Sequence, residues 1–153
     1  MEHNVKVLEP EQLIPQLLEI LEVTEPVPLR ISGGSMTPFL ANGRDTVYLS
    51  KVRRPLQRGD MVLYCRDSGN YVLHRVYRVE GDTCTMVGDA QTCLEQGIRP
   101  DQILAVVTAV RRKGKLQQKG SFWWEFFENV WIRMVPLRHA VMTGYALMKK
   151  LFG

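Results

Sequence analysis

The sequence predicts a mainly β fold: a compact, mostly antiparallel folded sheet or barrel with helix at both ends. Three observations carry this. From Pro26 to Val110, short alternating apolar runs recur between turn-rich clusters, as in antiparallel all-β chains. Before them, Leu13, Ile14, Leu17, Leu18 and Leu21 recur at helical spacing. After Ser121 the composition shifts to aromatic, Met and Ala residues. A length of 153 residues suits one domain with its own core, and 45% hydrophobic with 24% charged residues is an ordinary globular balance. The expected organisation is an N-terminal helical segment over 1–25, a β domain over 26–116 and a helical segment over 117–153.

Taken in order, residues 10–22 form a helix with one oily stripe, with Pro10 in its first turn and Pro15 as a point of kinking or breakage. The stripe suits docking on the domain, a partner or lipid. Leu29–Ser32 is extended and runs into Gly33-Gly34. Strands are expected at Thr46–Leu49, Met61–Arg66, Tyr71–Val79, Thr83–Val87 and Ile103–Val110. Asp67-Ser68-Gly69-Asn70 closes a hairpin, and Glu80-Gly81-Asp82 makes the next turn. Beyond Ser121, two helices with a break near Pro136 fit the pattern. Trp123, Trp124, Phe126, Phe127 and Trp131, accompanied by Arg133, Arg138, Lys149 and Lys150, suit either internal packing or contact of 121–153 with an anionic membrane surface.

Basic residues gather at Lys51 to Arg58, Arg111 to Lys115 and Lys149-Lys150, and the aromatics lie in the C-terminal third, away from the first two clusters, so no nucleic-acid partner is expected. Cys65, Cys84 and Cys93 form no C-x-x-C pair, which argues against a disulfide framework and a zinc site; they read as reduced thiols of a cytoplasmic chain. Neither a secretory signal nor a run of about 20 apolar residues is present, so the chain is expected to carry no spanning helix.

The informative stretch is Leu29-Arg-Ile-Ser-Gly-Gly-Ser-Met-Thr-Pro-Phe-Leu40. Glycines ahead of a serine permit unusual dihedrals and close approach of a substrate carbonyl, although Gly-Gly-Ser alone is also an ordinary turn. The backbone amides of Gly34 and Ser35 would form an oxyanion site. A serine hydroxyl needs a base to attack at neutral pH. His3 lies near the terminus and His139 among the C-terminal helices, whereas His74 lies within a strand. Its period of two puts Val72, His74 and Val76 on one face and Leu73, Arg75 and Tyr77 on the other. An imidazole between valines is partly desolvated and kept neutral, and Arg75 points away from it.

Ser35-Met36-Thr37-Pro38, then Arg58-Gly59-Asp60-Met61-Val62, His74-Arg75-Val76 and Gly88-Asp89 resemble, in order and spacing, the motif series of type I signal peptidases. Histidine in place of lysine at the base position resembles the endoplasmic-reticulum and archaeal branch, and Ile31 to Met36 resembles the LexA-type self-cleaving repressors that share that fold. The resemblance covers roughly residues 28 to 110. It implies a signal-peptidase and LexA type of fold and a cofactor-free serine endopeptidase. It further implies a peptide or protein substrate held as an extended strand, with small residues flanking the cleaved bond. Ser35 and His74 would be catalytic, Met36, Pro38 and Arg75 would support the motifs, and Asp89 or Glu95 would orient the imidazole; the choice between these acids stays open. The chain departs from the family at Gly43-Arg44-Asp45, where a residue is inserted, at Gly33, where many members carry serine, and after Asp89, where Ala90-Gln91 stand.

A histidine base of ordinary pKa predicts that activity falls below about pH 6 to 7. The expected activity is processing of a leader or dedicated partner peptide by a cytoplasmic peptidase, peripheral on the inner membrane face through 121–153. The alternative is a non-catalytic relative that only binds extended peptides. A self-cleaving repressor is not the expected reading, because fewer than about 30 residues stand before the core in this sequence, too few for a helix-turn-helix unit.

Overall fold

The computed structural model describes residues 10–153. His3 lies outside them. Helix α1 (Pro10–Leu21) continues through Pro15. Its stripe docks on the domain: Ile14 and Leu21 are buried in the main core, and Leu17 and Leu18 pack against it.

Eight strands follow: β1 (Val27–Arg30), β2 (Thr46–Ser50), β3 (Met61–Cys65), β4 (Tyr71–Glu80), β5 (Thr83–Val87), β6 (Glu95–Ile98), β7 (Ile103–Arg112) and β8 (Lys115–Gln118). Every pairing is antiparallel. The order β1-β2-β7-β3-β4-β5-β6, with β8 beside β7, is an open path, so of sheet and barrel the chain forms an open sheet. The 67–70 turn closes the β3–β4 hairpin through the Arg66 amide on the Asn70 carbonyl at 2.8 Å. β6 and β8 were not expected. EQGI and KLQQ carry no apolar alternation, and Gly97 in β6 has φ +75°. Each is drawn into the sheet by its neighbour rather than by its own pattern.

Strand β3 is buried on both faces. Met61 and Leu63 join a core with α1, Phe39, Leu40 and the C-terminal aromatics. Val62 and Tyr64 face a second core with Val76, Cys84, Met86 and Ile98. The candidate base, His74, stands opposite Val62 on the sheet face of this second core.

The C-terminal segment has two parts. α2 (Phe122–Glu125) runs into a π turn (Phe126–Val130) and a 3₁₀ stretch (Trp131–Leu137), in which Met134 breaks helical geometry two residues before Pro136. Trp124, Phe127, Trp131, Ile132 and Val135 are buried, so this half belongs to the core. α3 (Arg138–Phe152) then emerges, with Val141, Tyr145, Leu147, Met148, Leu151 and Phe152 exposed. The exposed apolar residues crowd together beyond Arg138, and β8 spans the 116/117 junction.

Candidate functional site

The Ser35 turn is set from below by its own apolar residues. Met36, Phe39 and Leu40 are buried in the main core, leaving Gly33 and Gly34 exposed and Ser35 half-buried. Gly33 has φ +82°, a left-handed conformation that a side chain would strain. Its amide donates to Asn42 Oδ1 at 3.0 Å. Thr37 Oγ1 donates to the Gly34 carbonyl at 2.8 Å. Among the described residues, the Gly34 and Ser35 amides donate to no protein acceptor. That leaves two neighbouring donors for a developing oxyanion.

Strand register places the base. Val62 stands opposite His74 and Tyr64 opposite Val72, so Tyr64 sits diagonal to His74 on the same sheet face. His74 is 3% exposed. Ser35 and His74 line one cavity of about 270 Å³ together with Gly33, Met36, Tyr71 and Gln91. Among the described residues no direct hydrogen bond joins the two side chains, a common looseness in sites without substrate. A second cavity, of about 520 Å³, also reaches His74 and is walled by Arg66, Gln91, Cys93 and Glu95.

The environment of His74 sets its chemistry. Burial drives its pKa down to about 4, and the Arg66 guanidinium pushes the same way, while Glu95 and Asp89 pull weakly upward. The imidazole is therefore neutral at pH 7, with one nitrogen free to accept a proton, though a weaker base than a solvated histidine. The acid limit of pH 6 to 7 expected of an unperturbed histidine moves down accordingly. The like charge felt by the imidazole comes from Arg66, not from its neighbour Arg75.

The two candidate orienting acids behave differently. The structure does not bring Asp89 to the imidazole. Fully buried, its carboxylate accepts Arg75 Nε at 3.0 Å and Arg75 Nη2 at 2.9 Å. Glu95 reaches His74 only through an intermediary. Tyr64 Oη lies 3.2 Å from His74 Nδ1 and donates to Glu95 Oε1 at 2.5 Å. Arg66 Nε donates to Glu95 Oε2 at 2.9 Å. Although burial raises the pKa of Glu95, the Arg66 and Tyr64 bonds outweigh it and hold the carboxyl below its usual value. Burial, then the Glu95 bond, keeps the Tyr64 phenol well above its ordinary range. Tyr64 went unnoticed in the sequence because Met61-Val-Leu-Tyr-Cys65 reads as one core run.

Residues 88–91 tie both catalytic candidates together. The Ala90 amide donates to the Ser35 carbonyl at 2.9 Å, and Asp89 anchors Arg75, the residue after His74. Arg75 Nη1 also donates to the Gly59 carbonyl at 2.8 Å. From outside, Arg138 Nη1 donates to the Gly88 and Gln91 carbonyls at 2.8 and 2.9 Å, and Trp131 Nε1 donates to the Asp89 carbonyl at 2.8 Å. Of the two readings the sequence left open for the segment of Arg138, packing or membrane contact, this residue takes the first: it is a buried clamp.

Comparison of the chain with protein-family models, with curated proteins and with solved structures finds no match. Among the described residues, no group of three or more His, Cys, Asp or Glu side chains could hold a metal ion.

The role of Gly88 is steric. A Cβ there would lie 2.6 Å from the Ser35 carbonyl oxygen and 3.0 Å from Gln91 Oε1. Gly88→Ala is expected to displace the serine turn and to lower kcat/KM about 100-fold, the scale of a misplacement near 1 Å. The same variant should lose only about 1 to 3 kcal/mol of stability, as overpacked sites do. Steady-state kinetics beside a thermal melt measure both.

Proposed function

We propose that this chain is a serine endopeptidase of the signal peptidase I-like type, which cleaves an extended peptide or leader segment by acyl transfer. The observation that supports it is the shared cavity of Ser35 and His74, with a neutral buried imidazole and two uncommitted amides beside the serine. In this reading His74 takes the Ser35 proton as Ser35 attacks the peptide carbonyl. The Gly34 and Ser35 amides hold the oxyanion, His74 protonates the leaving amine, and water frees the acyl group. A serine-directed fluorophosphonate probe tests it. Labelling of the wild type and its loss in Ser35→Ala is the expected result; equal labelling of the two removes the nucleophile and leaves the peptide-binding alternative.

The same reading puts the enzyme in the cytoplasm, peripheral on the inner membrane face. Among the described residues no helix is long and apolar enough to cross a membrane. What supports surface attachment is α3. Leu137, Val141, Tyr145, Met148 and Phe152 recur at helical spacing, all exposed, while Lys149 and Lys150 stand beside them. The expected result is binding to vesicles rich in phosphatidylglycerol, weakened by salt and weakened more than about tenfold when Tyr145 and Met148 are both replaced by glutamate. These exposed positions make a cleaner test than deleting 121–153, which would remove buried Trp124, Phe127 and Trp131.

A further inference from the structure

We propose that Tyr64 is the positioning residue of the candidate site: it fixes the protonation and orientation of His74 and links the imidazole to Glu95. The proposal rests on the Ser35–His74 reading and deepens it.

The available protons fix each donor and acceptor in this cluster. Tyr64 Oη has a single proton, and a carboxylate can only accept, so that proton goes to Glu95 Oε1 across 2.5 Å. The phenolic oxygen is then left as an acceptor, and the group within reach is His74 Nδ1 at 3.2 Å. A neutral imidazole has one N–H. It must lie on Nδ1, leaving the lone pair on Nε2, the nitrogen that a serine proton would have to reach. Arg66 closes the chain by donating to both Glu95 oxygens, at 3.3 Å and 2.9 Å from its Nε. Tyr64 is fully buried, and its ring meets the imidazole edge-on with centroids 6.1 Å apart, so neither ring swings freely. No proton is relayed. Tyr64 keeps its own throughout, and His74 keeps Nδ1–H while Nε2 takes and returns the serine proton. When His74 becomes imidazolium, the phenolic oxygen and the Glu95 charge behind it face the new positive charge. Asp89, turned onto Arg75, contributes only its distant field.

Two variants and one spectrum decide the matter. Long-range nitrogen–proton NMR of the imidazole at neutral pH reports which ring nitrogen carries the proton, and it needs no substrate. In the wild type the proton is expected on Nδ1. Tyr64→Phe removes the acceptor with little change of shape, and the His74 proton should move to Nε2, the ordinary preference of a free imidazole. Glu95→Ala releases the phenolic proton toward Nδ1, so it should move the imidazole proton to Nε2 as well. In peptide cleavage, Tyr64→Phe should lower kcat by about 10³- to 10⁴-fold, the cost of a wrong tautomer in a serine peptidase, with KM unchanged. A wild-type proton on Nε2 overturns the proposal. So does a Tyr64→Phe variant that keeps the proton on Nδ1 or keeps its kcat. A chain with the Nδ1 proton that takes no fluorophosphonate label instead fails the Ser–His reading, so the two failures are told apart.

Discussion

Replacing His74 with alanine is expected to reduce peptide turnover by about 10⁴- to 10⁶-fold, the range found when a serine peptidase loses its base. The pH profile is the sharper result. Burial and Arg66 hold the imidazole pKa down to about 4, so kcat/KM should stay level from neutrality to about pH 5 and fall only as His74 protonates. An acid limb at pH 6 to 7 would mean that the base is a solvated histidine or another group. The same depression makes folding depend on pH. Between its unfolded value near 6.5 and the folded value of about 4, the unfolded chain binds the extra proton, so stability is fully present above about pH 6.5 and declines toward pH 4. A shift of this size corresponds to about 3 kcal/mol. Urea melts across that window should therefore show a slope that is absent in His74→Gln, and activity should be read at pH values where the chain remains folded.

The second large effect belongs to Asp89. Asp89→Ala is expected to cost about 3 to 5 kcal/mol, because it leaves the Arg75 guanidinium buried without its counter-charge. Arg75 is 1% exposed and Asp89 is wholly buried. The remaining partners of the guanidinium are the Gly59 carbonyl at 2.8 Å and the Phe39 ring at 5.6 Å, neither of which carries charge. Against a total stability of roughly 5 to 15 kcal/mol, such a loss brings the chain near unfolding at ordinary temperature. Asp89→Asn keeps one acceptor and should lose less. The measurement is a denaturant midpoint for each variant beside the activity of the folded fraction. An Asp89→Asn variant of full stability but abolished turnover would show that Asp89 acts on the imidazole directly, against the geometry.

Most of the sheet is legible in the sequence because its strands alternate. Leu29 to Ser32 and Ile103 to Val110 are displaced by only a few residues in β1 and β7. The hairpin at Asp67–Asn70 follows from local turn chemistry, and the burial of His74 from its valine neighbours. What escaped depends on contacts between distant residues. β6 has no pattern of its own, so the position of Glu95 beside Tyr64 could not be read from either residue. Tyr64 sits in a run buried on both faces, where a hydroxyl is indistinguishable from packing. That Asp89 is taken up by Arg75 was likewise hidden, because the strand period gives the Arg75 side chain a direction but no partner. Arg138 belongs to a stretch whose pattern suits packing and membrane contact alike, and only the fold shows this cation turned inward.

The stretch from Gly88 to Gln91 is fastened from the far end of the chain. Three of its carbonyls are capped by Trp131 and Arg138. During synthesis the Ser35 turn and strand β4 leave the ribosome well before those caps exist. A nascent chain cut short of residue 138 has its sheet complete yet lacks that final fastening. The groove between the serine turn and the imidazole is therefore set only once residues 131 and 138 have joined the fold.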